Sequence, residues 1–144
     1  MMQGMASILV VDDDVDSREA VARFLGKAGH WVACAPNGRE ALAALSADTP
    51  DIVILDQRMP EMDGVTFLEV IRCYLRWERI PVILLTAFPE DIYIRRAMAL
   101  GAVQLFAKAE YGMSELLACV ERWTRPLPDL GALDTPQPGG QAIN

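Results

Sequence analysis

The sequence predicts an α/β protein, a doubly wound sheet of five parallel strands in the common order 2-1-3-4-5 with five helices. Three observations carry this expectation. Apolar runs alternate five times with longer amphipathic stretches between Ile8 and Thr124. The first, third and fourth runs are continuously apolar, as parallel strands covered on both faces require. The intervening stretches are long enough for crossover helices and carry helix start and stop signals.

The first strand is Ile8-Leu-Val-Val11, and the helix after it runs from about Asp16 to Ala28. Asp16 and Glu19 are spaced like a capping pair there, and Gly29 is the stop. Trp31 to Ala35 is the second strand. Asn37, with Glu40 three residues on, is the N-cap candidate of a helix reaching about Ala47. Ile52-Val-Ile-Leu55 is the third strand, followed by a helix opening at Asp63-Gly64 with Val65, Leu68, Ile71 and Leu75 on one face. Val82-Ile-Leu-Leu85 is the fourth strand. Its helix starts at Pro89-Glu90-Asp91, a proline and two acids suited to a helix N-terminus, and stops at Gly101. Val103 to Phe106 is the fifth strand. The last helix spans roughly Tyr111 to Thr124, with Met113, Leu116, Leu117 and Val120 as its apolar stripe.

This reading gives one domain over residues 5–125 and a Pro/Gly-rich flexible tail over 126–144. Apolar residues make up 52% of the 144, enough for a single proper core. A net charge of −7 argues against direct binding to nucleic acid or an anionic membrane, since either needs a basic face. No apolar stretch approaches a bilayer span, and Met1 to Ser7 lacks the regions of a signal peptide. Cys34, Cys73 and Cys119 are scattered, so buried, reduced thiols and a cytoplasmic address are expected.

Doubly wound sheets bind ligands at the carboxyl ends of their strands. Here the first strand ends in Asp12-Asp13-Asp14, the third in Asp56, the fourth in Thr86-Ala87 and the fifth reaches Lys108. At roughly 5 Å and an effective dielectric near 20, each carboxylate pair repels by roughly 3 kcal/mol. Either a carboxyl stays protonated, or Lys108 and a divalent ion neutralise the cluster. Hard oxygen donors suit Mg2+, and Asp56 is then a candidate carboxylate nucleophile for phosphoryl transfer. Asp14 and Asp16 read as capping residues and stay outside this site. His30 reads as a solvated turn residue, and Trp31, Tyr93 and Trp123 as packing or surface aromatics.

The block from Asp51 to Gly64, with Ile8 to Asp14, Ile80 to Ala87, Gly101-Ala102 and Lys108, resembles bacterial two-component response-regulator receiver domains. The resemblance covers about Ser7 to Arg125 and is closest to single-domain, chemotaxis-regulator-like receivers with a flavodoxin-like fold. It implies a phosphoryl-accepting Asp56, with Mg2+ held by Asp12, Asp13, Asp56 and the backbone carbonyl of Arg58. It implies phosphate binding and switching through Thr86, Ala87 and Lys108, with Leu105 and Phe106 coupled to the switch. The partners implied are a sensor histidine kinase or histidine phosphotransfer protein. A downstream protein or a second copy would be met through the fourth helix, fifth strand and fifth helix. No enzyme is implied beyond self-catalysed phosphoryl transfer to Asp56 and autodephosphorylation.

This chain departs from the family pattern at three places. Ala109 follows Lys108 where proline is usual. Leu105 stands where an aromatic is common. Arg58 and Phe88 occupy the variable positions flanking the acceptor and the threonine. The departures at Ala109 and Leu105 keep a second reading open, a pseudo-receiver that interacts without being phosphorylated. A third reading, an aspartate-nucleophile phosphatase, needs an acid two residues past Asp56, where Arg58 stands.

Overall fold

The computed structural model describes residues 5–125; the segment 126–144, expected as a tail, lies outside the described residues. The elements run β1 (Ser7–Val11), α1 (Val15–Lys27), β2 (Trp31–Ala35), α2 (Gly38–Ala47), β3 (Ile52–Leu55) and α3 (Gly64–Ile71). They continue with β4 (Val82–Thr86), α4 (Ile94–Ala99), β5 (Ala102–Ala107) and α5 (Met113–Thr124). All neighbouring strands are parallel, and the sheet order is β2-β1-β3-β4-β5, as the sequence predicts.

Alternation along the central strands divides the core in two, because successive side chains of a strand point to opposite faces. Leu9, Val11, Val53, Leu55, Val82 and Leu84 meet Leu45 of α2, Phe67 and Leu68 of α3 and Ala97 of α4. Ile8, Val10, Ile52, Ile54, Ile83 and Leu85 meet Val21 and Leu25 of α1 and Leu116 and Val120 of α5. Both faces are covered, which is why these strands lack polar alternation. β2 lies at the sheet edge, and its Trp31, Ala33 and Cys34 are exposed.

Several local expectations need correction. Asp14, not Asp16, caps α1: its carboxylate accepts from the backbone N–H of Asp16 at 3.1 Å. Helix α3 ends at Ile71, and Leu75 is 87% exposed rather than on its buried face. The chain turns there because Arg72 donates to the carbonyls of Leu100, Trp77 and Glu78, which holds the turn so that Trp77 is buried in the core. Helix α4 starts at Ile94 instead of Pro89. The Asp91 carboxylate, expected at its N-terminus, accepts from Tyr93 N–H and forms a turn, and α4 starts with no side-chain cap. Helix α5 begins at Met113, two residues after Tyr111.

His30 is buried, not solvated. Its Nδ1 accepts from the backbone N–H of Ala6 at 3.0 Å, and its Nε2 lies 3.4 Å from Glu121 on α5. The three thiols are unpaired, but only Cys119 is buried; Cys34 and Cys73 are exposed. Asn37 caps α2 as expected, accepting from Glu40 N–H at 2.9 Å.

Candidate functional site

The strand register sets the site. Val11 pairs with Leu55, so the residues that follow, Asp12 and Asp56, leave the sheet at the same level. The ladder continues past the strand ends: Asp56 N–H donates to Val11 carbonyl at 2.9 Å, and Asp12 N–H to Ala35 carbonyl at 3.1 Å. On the other side Thr86 pairs with Ala107, and Lys108 N–H donates to Thr86 carbonyl at 2.8 Å. Four side chains distant in sequence therefore meet in one crevice at the carboxyl end of the sheet.

Lys108 Nζ bridges the two buried acids, 2.8 Å from Asp12 Oδ2 and 3.2 Å from Asp56 Oδ2. The other oxygen of Asp56, Oδ1, accepts from Gln57 N–H at 2.7 Å. Burial raises the Asp56 carboxyl to about 6, with the Asp12 charge adding to the rise while Lys108 and the Thr86 hydroxyl oppose it. Lys108 moves the opposite way from what its burial favours: the Asp12 and Asp56 carboxylates hold it above the ordinary lysine value. Of the two routes to neutralising the acids, the lysine is thus already in use, and it does not suffice to bring Asp56 back to an ordinary carboxylate.

The loop that follows Asp56 is fixed in part by a residue that the sequence reading did not single out. Gln57 is 2% exposed; its Oε1 accepts from Val65 N–H at 2.7 Å and its Nε2 donates to Asp63 at 3.3 Å. Asp63 in turn caps α3, accepting from Thr66 N–H at 3.0 Å. Gly64 is required by close approach, because a Cβ there would strike the backbone carbonyl of Asp56 and the Cα of Gln57. A buried glutamine has no sequence signature, whereas the Asp-Gly pair at 63–64 was legible as a helix start.

Asp12, Asp13, Asp56, Thr86 and Lys108 are brought together. Asp13 is exposed while Asp12 and Asp56 are buried, so the cluster has one open side. Thr86 is fully buried and its Oγ1 accepts from Phe88 N–H at 3.1 Å; Ala87, beside it, is exposed. Leu105 and Phe106 face opposite sides of the sheet. Leu105 packs on the core shared with α2, α3 and α4, and Phe106 on the opposite core, 6.2 Å from the ring of Tyr111. The Arg58 side chain turns away from the acids, to Asp91 at 2.8 Å and over the Phe88 ring at 3.9 Å. With Gln57, Met59 and Tyr93 these residues line a cleft of about 620 Å³ beside the loop that follows Asp56.

The donor set fits a hard divalent cation. Asp12, Asp13 and Asp56 each offer a carboxylate oxygen, and these atoms lie within 4.8 Å of one another. Oxygen donors alone, with one side open to solvent, suit Mg2+ rather than a metal held by nitrogen or sulfur.

Comparison with known proteins gives a consistent result. Residues 8–121 match the family model described as the response regulator receiver domain. Sporulation initiation phosphotransferase F of Bacillus subtilis is 34% identical over 116 residues, covering 81% of this chain and 91% of its own. The regulatory protein AtoC of Escherichia coli is 36% identical over 84% of this chain. This chain spans only 26% of AtoC, so much of that relative has no counterpart in the alignment. Among solved structures, the chemotaxis protein CheY4 of Vibrio cholerae aligns with a TM-score of 0.75 at 32% identity, covering 83% of this chain and 98% of its own. The receiver domain of the Pseudomonas aeruginosa sensor histidine kinase PA1611, solved with magnesium coordinated in its active-site cleft, aligns at 0.76 with 25% identity, covering 84% of this chain and 98% of its own.

Proposed function

The chain belongs to the response regulator receiver domain family of two-component systems, and from that premise we propose that Asp56 accepts a phosphoryl group in a Mg2+-dependent reaction. The observation that carries the proposal is the cluster itself: three carboxylates within 4.8 Å, two of them bridged by Lys108. Crowding of this kind raises the free energy of the resting site and is relieved by a bound cation.

In the proposed reaction an Asp56 oxygen attacks the phosphorus of a phosphohistidine or a small acyl phosphate. The phosphorus–nitrogen or phosphorus–oxygen bond to the donor breaks, and the leaving group departs with the electron pair. Lys108, already 3.2 Å from Asp56, shifts its charge to the phosphoryl oxygens. The Thr86 hydroxyl accepts from Phe88 N–H and keeps its own proton to donate to a phosphoryl oxygen. Ala87 lines the same edge. The metal would be held by Asp12, Asp13, Asp56 and the backbone carbonyl of Arg58; when bound, it offsets charge on the transferring group.

The partners proposed are a sensor histidine kinase or histidine phosphotransfer protein as donor. A downstream protein or a second copy reads the α4-β5-α5 face. Among the described residues no helix is long and apolar enough to cross a membrane, and the unpaired cysteines favour the cytoplasm as the proposed compartment. The phosphatase reading is disfavoured because Arg58, engaged by Asp91 and Phe88, offers no acid two residues past Asp56. The pseudo-receiver reading is disfavoured by the intact acid–lysine cluster.

Acetyl phosphate with Mg2+ tests the proposal. Intact-mass analysis should show one phosphoryl addition, lost on chelation and absent in Asp56→Asn. An unmodified wild-type chain would support the pseudo-receiver, and labelling of the Asn variant at another acid would remove Asp56 as acceptor.

A further inference from the structure

We infer that Arg58 is a positioning residue that carries the state of the acceptor site to the start of α4. The inference rests on Asp56 being the acceptor and concerns what happens beyond it.

Arg58 stands in the acceptor loop two residues past Asp56, yet its side chain grips the turn that follows β4. Its Nε donates to Asp91 Oδ2 at 2.8 Å, and its guanidinium lies 3.9 Å from the centre of the Phe88 ring. Asp91 is the hub of that turn. Its Oδ1 accepts from Tyr93 N–H at 2.8 Å, its backbone N–H donates to Phe88 carbonyl, and its carbonyl accepts from Ile94 N–H. The Asp91 side chain is largely buried, and the guanidinium holds its carboxyl below the usual carboxylate range. Since α4 has no side-chain cap of its own, Asp91 is what orders its first residues.

A second link converges on the same turn. Phe88 N–H donates to the Thr86 hydroxyl at 3.1 Å, so a Thr86 that turns toward a phosphoryl group strains or releases Phe88. Movement of the acceptor loop, through Arg58, and of Thr86, through Phe88, thus reaches one hydrogen-bonded turn from two sides. Beyond it stand Ile92, Tyr93 and Met98, exposed at 81%, 49% and 40%, which would register any shift as a change of apolar surface. Leu105 on β5 offers no comparable polar tie. Arg58 is half exposed although Asp91 is not, so solvent screens the pair in part, which suits a latch that biases a population without locking it.

Amide chemical shifts with Mg2+ alone and with Mg2+ and beryllofluoride test this, using wild type, Asp91→Asn, Arg58→Met and Arg58→Lys. Shifts around Asp12, Asp56 and Lys108 report whether the complex forms in each. The expected result is that wild type also shifts from Ile92 to Met98. In Asp91→Asn and Arg58→Met those distal shifts fall by roughly threefold or more while the site shifts persist, and Arg58→Lys restores part of them. Distal shifts of wild-type size in Asp91→Asn and Arg58→Met would overturn the latch, as would a wild type whose response stops at the site. Absence of any beryllofluoride response around Asp56 in wild type would instead overturn the acceptor assignment beneath it.

Discussion

At the scale of single residues, Asp56 shows how a functional group is kept under tension. Its carboxyl sits at about 6 in the folded chain against an ordinary 3.8, chiefly because burial disfavours the anion. A proton is then bound more tightly folded than unfolded, so the contribution of Asp56 to stability is full below about pH 4 and is lost as pH rises toward 6. Chemical denaturation of the metal-free protein should show this fall, and Asp56→Asn should lack it and be more stable at pH 7 by on the order of 2 kcal/mol. A variant no more stable than wild type would show that Lys108 already compensates the charge. The acids were legible because each stands at the end of an apolar run, where topology alone delivers it to the crevice. His30 was not, since its role depends on Ala6 and Glu121, to which nothing local points. Replacing His30 with Ala leaves the Ala6 N–H without a partner and should cost about 1–3 kcal/mol in urea unfolding, with phosphoryl labelling of Asp56 retained.

At the scale of elements, legibility followed how far local signals agreed with tertiary ones. The strands β1, β3 and β4 were clear because four consecutive buried apolar residues admit little else. The start of α4 was misread because Pro89 and Asp91 look like a helix N-terminus, while the Asp91 carboxylate is used by Tyr93 N–H and Arg58. The end of α3 was misread because Leu75 continues the apolar spacing, and only the Arg72 contacts and the burial of Trp77 show where the chain turns. These differences have dynamic consequences. Helix α4 has six residues and no side-chain cap, against thirteen residues and a capping Asp14 in α1. Its amides should exchange with deuterium well before those of α1, and equal protection would refute that ordering. Helix α3 is tied to Asp56 by the tight approach of Gly64. Gly64→Ala should destabilise the fold by about 1–3 kcal/mol and slow labelling of Asp56, since the added Cβ collides with that residue's own carbonyl.

At the scale of the whole molecule, the sheet joins two cores, and the Asp56 carboxylate extends one of the strands that serve both. Ile52 and Ile54 of β3 face one core, and Val53 and Leu55 the other. Charge repulsion at the tip of β3 is therefore opposed by packing on both faces, and a ligand that relieves it stabilises the folded chain as a unit. Mg2+ is the ligand proposed for this role, because an unfolded chain does not hold Asp12, Asp13 and Asp56 within 4.8 Å. By linkage, Mg2+ at about ten times its dissociation constant should stabilise the fold by about 1.4 kcal/mol, seen as a rise in thermal midpoint. Asp13 gives the discriminating case because it is exposed, whereas Asp12 and Asp56 are buried against Lys108. Replacing it with Asn removes one anionic ligand without unpairing the lysine. The metal-free variant should be equal to or slightly more stable than wild type, since an exposed repulsion is screened and worth less than about 1 kcal/mol. Its stabilisation by Mg2+ should shrink at the same metal concentration. A variant that keeps the full Mg2+ response would place the cation elsewhere, and one that is destabilised without metal would show that Asp13 supports the fold instead of straining it.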